Sequence, residues 1–167
     1  MDINIDELLQ KNQMLRPLAE FGKKEGIKFD CYINNDGIWL FFARLNSEPV
    51  IMIPVSQKLD CILPIIDSEP YAKKFVLAHE LGHARNYWER KGCPHSECFS
   101  KRIIGESCFY EERRAWLNGA DILKEVCQIS PEEKKRYFMF ALRVIKTQAR
   151  VCIRRLAINP AEIFQDA

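Results

Sequence analysis

His79-Glu80-Leu81-Gly82-His83 is the stretch on which the reading of this chain turns. On a helix, positions four apart lie on one face, so His79 and His83 present two imidazoles side by side. Two such imidazoles can hold one Zn²⁺, each at about 2.0–2.1 Å. Glu80, offset by one position, flanks the metal without ligating it and is placed to take the proton of a metal-activated water. The plainer alternative is two histidines on an ordinary amphipathic helix, and the surrounding residues argue against it. Leu77, Leu81 and Trp88 form an apolar stripe on the opposite side, while the His79 face carries Gly82 and Asn86 instead of large apolar groups. Asp67 or Ser68 reads as the N-cap of this helix, Pro70 suits its first turn, and the segment should run to about Arg90.

A catalytic zinc needs a third protein ligand and an open fourth position. Glu111, Glu112, His95 and the cysteines are the candidates. Residues 109–127 read as a helix on which Glu112 shares a face with Ala115, Trp116, Gly119 and Leu123. That face is apolar and has two small residues, so it can approach the motif helix closely at Gly82. Glu111 shares its face with Arg114 and Asn118, which prefer water. Helical facing therefore favours Glu112 over Glu111, which would complete a His₂Glu set; the plainer alternative is a solvated glutamate favoured at a helix N-terminus.

Outward from the motif, residues 5–24 read as helical, with Pro17 expected to break or kink the segment. Residues 27–33 alternate apolar and polar, the pattern of a half-buried strand. The turn signal Asn34-Asn35-Asp36-Gly37 precedes a second strand from Ile38 to Ala43, and Val50 to Ile53, bracketed by Pro49 and Pro54, supplies a third. The expectation is a small antiparallel meander. Ser130-Pro131-Glu132-Glu133 is a capping box with proline at the first helical position, opening a long helix over 131–156. The whole is an α+β chain with the histidine motif on a central helix, and its 167 residues suit one domain.

Apolar residues make up 47% and charged residues 29%, an ordinary globular balance. The acidic N-terminus lacks a signal-peptide pattern, and no apolar run approaches the ~18 residues a membrane span needs. Seven irregularly spaced cysteines read as reduced thiols in a cytoplasmic protein.

The motif, followed about thirty residues later by Glu112-Arg113-Arg114-Ala115-Trp116, resembles the ImmA/IrrE family of small gluzincin metallopeptidases. The resemblance covers residues 25–125 and includes the helix–strand–strand arrangement before the motif. It implies a zincin-like helical core, His79, His83 and Glu112 as zinc ligands, and Glu80 as base. Members of that family are bacterial or carried by phages and mobile elements, and several are implicated in cleaving a helix-turn-helix repressor. This chain departs from many of them in its cysteine-rich loop at 92–108 and at Trp116-Leu117-Asn118-Gly119. The expected activity is zinc-dependent hydrolysis of peptide bonds in a protein partner.

Three further features carry weaker signals. Cys93, His95, Cys98 and Cys108 offer a set for a second, structural zinc, but the Cys-x₄-Cys spacing is looser than in common zinc fingers, and free thiols are the plainer reading. His95, Tyr87 and Tyr110 are candidates for stabilising an oxyanion. Residues 134–155 carry eight basic side chains and no acid, with Arg136, Arg143, Arg150 and Arg154 in one stripe. A solvated helix face is the commoner meaning of such a stripe, but it could also meet DNA or an acidic partner. Hence the rival expectation: a non-catalytic, zinc-stabilised module that binds a regulatory protein or DNA through this helix. Glu80 separates the two, because a purely structural zinc has no need of a carboxylate there.

Overall fold

The computed structural model describes residues 4–33, 41–45, 48–56, 61–62, 69–88, 109–148 and 159–165. Two short helices open the chain, α1 (Ile5–Lys11) and α2 (Arg16–Lys24). The Asn4 side chain accepts a hydrogen bond from the Glu7 amide and caps α1. The expected single segment over 5–24 is thus divided at 12–15. Pro17 stands in the first turn of α2, where its missing N–H is harmless. The Asn12 side chain accepts from the amides of Met14 and Leu15 and so stabilises the break.

Four strands follow: β1 (Lys28–Ile33), β2 (Phe41–Leu45), β3 (Glu48–Ser56) and β4 (Cys61–Ile62). They form a mixed sheet, which corrects the expected antiparallel meander. β3 lies in the centre, parallel to β1 from Lys28↔Val50 to Ile33↔Val55 and antiparallel to β2 and β4. The reason lies in the side chains. Val50, Ile51, Ile53 and Val55 are all buried, a near-continuous apolar run suited to a strand flanked on both sides. β1 alternates, with Lys28 and Asp30 exposed, and suits an edge. β3 also runs through both prolines that were expected to bound it. Pro54 falls between the last pairing with β2, at Met52, and the first with β4, at Val55, a break in the ladder where a missing N–H is tolerated.

Among the described residues, three long helices come next, α3 (Ala72–Trp88), α4 (Phe109–Cys127) and α5 (Pro131–Gln148), followed by a 3₁₀ turn at Pro160–Glu162. Ser130 Oγ accepts from the Glu133 amide at 3.1 Å, the cap expected for α5. Residues 149–156, the rest of the expected helix, lie outside the described residues. The architecture is α+β and mostly helical.

α3 is the central element. Phe75, Val76, Leu77, Ala78, Leu81 and Ala84 are all buried, so the helix is covered on every side and not only along the expected stripe. Its closest partner is α4. A Cβ added at Gly82 would strike the carbonyl oxygen of Ala115 and lie 3.0 Å from the Gly119 nitrogen. A Cβ at Gly119 would in turn lie 2.8 Å from the Ala78 carbonyl oxygen. The two backbones touch where glycine faces small residues. Gly82→Ala is accordingly expected to lower the unfolding free energy by about 1–3 kcal/mol, because backbone cannot move aside for a methyl group. Alanine's better helix propensity, worth ~1 kcal/mol, offsets only part of this. Urea denaturation of the metal-free protein measures it, and an unchanged midpoint would count against so close an approach.

Candidate metal centre

The contact at Gly82 brings three side chains to one point. His79 and His83 project from successive turns of α3 and Glu112 from the first turn of α4. His79 Nε2 and His83 Nε2 lie 3.1 Å apart. Glu112 Oε2 is 3.1 Å from His79 Nε2, and Glu112 Oε1 is 3.6 Å from His83 Nε2. Three donors around a tetrahedral ion with bonds of about 2.0–2.1 Å stand roughly 3.3–3.4 Å apart. The observed separations bracket that figure, and the donors suit a borderline-soft divalent cation.

Hydrogen bonding supports the same reading. His79 and Glu112 are nearly dry, at 4% and 6% exposure. Glu112 Oε2 is buried and, among the described residues, has no hydrogen-bond partner despite its closeness to His79 Nε2. Buried polar atoms are normally satisfied, and a cation shared with the imidazoles would satisfy this carboxylate oxygen. A buried His79–His83–Glu112 group that can hold a metal ion is therefore present.

The electrostatics show what competes with a metal. Burial, then the charge on His83, pushes His79 down to about 4, against the pull of Glu112. Burial alone would depress His83 too, but the Glu112 carboxylate, helped by Glu80 and Glu111, outweighs it and raises His83 to about 9. Burial would raise the Glu112 carboxyl, yet the two imidazoles hold it well below the usual carboxylate range. These shifts favour, in the metal-free triad, a proton on His83 held against the Glu112 carboxylate.

A metal ligand must be neutral imidazole, so binding has to expel that proton. Near pH 7.5, calorimetry in two buffers of different ionisation enthalpy should show about one proton released per metal, with affinity rising with pH until His83 titrates at about 9. The metal-free fold should behave oppositely. His83 is raised above its unfolded value of 6.5, so its contribution to stability is full below 6.5 and lost as pH rises through about 9. Affinity independent of pH across that range would contradict the assignment.

Glu80 is also buried, at 7%, and close enough for its charge to raise His83. Glu111 was expected to face water. Instead its side chain is 14% exposed and its Oε1 lies 3.9 Å from His83 Nδ1, a correction to the sequence reading. It stands one position before Glu112 on a helix pressed so tightly against α3 that both carboxylates face the histidines. Other contacts support the site. The Trp116 ring stacks on His79 with centroids 4.0 Å apart and 17° between planes. Its place one turn beyond Glu112, on the same face, was the available signal. Behind it, Tyr137 donates to the Trp116 carbonyl at 2.8 Å and packs on Phe75 and Trp116. Asn118 Nδ2 donates to Asn86 Oδ1 at 2.7 Å, tying α4 to α3 beyond His83.

Of the weaker candidates, Cys93, His95, Cys98 and Cys108 lie outside the described residues, as does the side chain of Tyr87. Tyr110 is 43% exposed. Arg136 is drawn into structure: it bonds Glu69 at 2.7 Å and lies over the Tyr71 ring. Arg143 covers Phe140, while Arg150 and Arg154 lie outside the described residues. No helix among the described residues is long and apolar enough to cross a membrane. Compared with family models, curated proteins and solved structures, the chain matches none.

Proposed function

We propose that the chain is a zinc-dependent peptidase of ImmA/IrrE type that hydrolyses peptide bonds in a protein partner, with a helix-turn-helix transcriptional repressor as the substrate class the sequence resemblance points to. The observation that carries the reading is the convergence of His79, His83 and Glu112 on one point, with a second buried acid, Glu80, close by. Zinc held by these three donors would supply the Lewis acidity that polarises a peptide carbonyl and activates water at neutral pH.

The chain's own residues divide the remaining work. Glu80 accepts a proton from the attacking water and returns it to the leaving amine. Trp116 and the aromatic cluster behind it keep the His79 side of the site dry, which strengthens the electrostatics there. An extended substrate pairs through its backbone with a sheet edge. β2 suits this role: among the described residues it pairs with β3 alone and packs beside α3.

Metal removal tests the reading. The zinc-loaded protein, incubated with an unfolded protein and with repressors encoded beside its gene, should shorten at least one of them. Chelation should stop the reaction and added Zn²⁺ restore it. Zinc binding with no cleavage of any of these substrates would favour the non-catalytic module.

A further inference from the structure

The two histidines are held in different ways. His79 is stacked on Trp116, and its Nδ1 is buried with no hydrogen-bond partner among the described residues. His83 is the more accessible imidazole, its side chain 12% exposed. Its Nδ1 faces a carboxylate that takes no part in the ligand triad, Glu111 Oε1 at 3.9 Å. An imidazole that ligates through Nε2 carries its proton on Nδ1, and a partner for that proton fixes both tautomer and ring angle. The gap exceeds hydrogen-bond range. Glutamate's terminal torsion is broad, which leaves the carboxylate freedom to turn toward the ring.

We propose that Glu111 is a positioning residue for the metal centre: its carboxylate accepts the Nδ1–H of His83 and holds the ring with Nε2 turned toward the metal. His79 is held differently, its plane fixed by stacking on Trp116. The ligand set is therefore asymmetric, with one imidazole locked by stacking in the dry interior and the other by a hydrogen bond at the more open side. Since Glu111 and Glu112 are neighbours on α4, the close approach at Gly82 delivers both the ligand and the positioning group. This inference rests on the triad being a metal centre, and it adds a role for a residue outside the triad.

The test is zinc affinity by chelator competition, together with imidazole NMR of the zinc-loaded protein. In the wild type, His83 should show a slowly exchanging Nδ1–H resonance. Glu111→Ala should lose that resonance and bind zinc about 10–100-fold more weakly. Glu111→Gln, whose carbonyl oxygen still accepts, should restore the resonance and most of the affinity, a rescue that a merely structural role would not produce. A wild-type spectrum without a protected His83 Nδ1–H overturns the proposal, whether or not Glu111→Ala folds. So does Glu111→Ala with wild-type affinity. If the wild type binds no zinc, the metal-centre reading itself falls; if it binds and Glu111→Ala is unchanged, only the role of Glu111 does.

Discussion

Glu112→Ala is expected to strip the protein of metal: zinc should be lost under a chelator concentration that leaves the wild type loaded. Changes to groups around a metal's ligands cost about 10–100-fold in affinity, and removing a ligand should cost more. Glu112 sits at the junction, with one oxygen toward each histidine at 3.1 Å and 3.6 Å. Its removal leaves two donors, too few for tight zinc binding. The effect on the metal-free fold should be smaller than its burial suggests. Breaking a buried ion pair can cost about 3–5 kcal/mol when a charge is stranded. Here the stranded group is His83, which is held protonated mainly by Glu112 and can shed its proton once that carboxylate is gone. Near neutral pH the variant should therefore fold, and its metal content remains a clean readout. Wild-type zinc content in Glu112→Ala, or heavier loss in Glu111→Ala than in Glu112→Ala, would reverse the roles assigned to these two residues.

With Glu80→Gln, metal and fold should survive while peptide hydrolysis falls by about 10²–10⁴-fold, the usual effect of deleting a general base. Glutamine has the same shape, so the buried pocket around position 80 keeps its packing. The amide cannot accept a proton from water. Losing the charge also removes one of the carboxylates that raise His83, so the proton competing with the metal is held less tightly and zinc affinity should not fall. The pairing of intact zinc with lost turnover separates a catalytic Glu80 from a structural one. Unchanged turnover would remove Glu80 from the mechanism, and lost zinc would make it part of the metal site.

Much of the site was legible from local periodicity. The four-residue spacing of His79 and His83 places both rings on one helix face wherever the helix lies. The choice of Glu112 over Glu111 followed from Ala115 and Gly119 lying one and two turns on, small residues that let Gly82 meet the α4 backbone. The same facing argument misjudged Glu111 itself. It treated the residue as a point on a wheel, whereas a contact this tight draws neighbouring positions of the helix into the interface, and Glu111 reaches to 3.9 Å from His83. The strands show a similar division. That residues 28–33, 41–45 and 48–56 are extended was nearly readable from their composition, but their pairing was not. A turn signal between β1 and β2 suggested neighbours, and the clue that β3 belongs in the centre was its lack of alternation.

Sequence by itself indicated the three long helices, where the helix of residues 131–148 is capped, and three donors that can share one point, because each depends on spacings of a few residues. Only the tertiary structure decided the strand order, the stacking of Trp116 on His79, the nearness of Glu111 to His83, and the upward push of the Glu112 carboxylate on His83. The physical reason is that these depend on distance and desolvation between segments far apart in the chain. A helix period fixes the direction in which a side chain leaves its own backbone; what it meets there, and how dry the meeting place is, depends on the packing of the other segments.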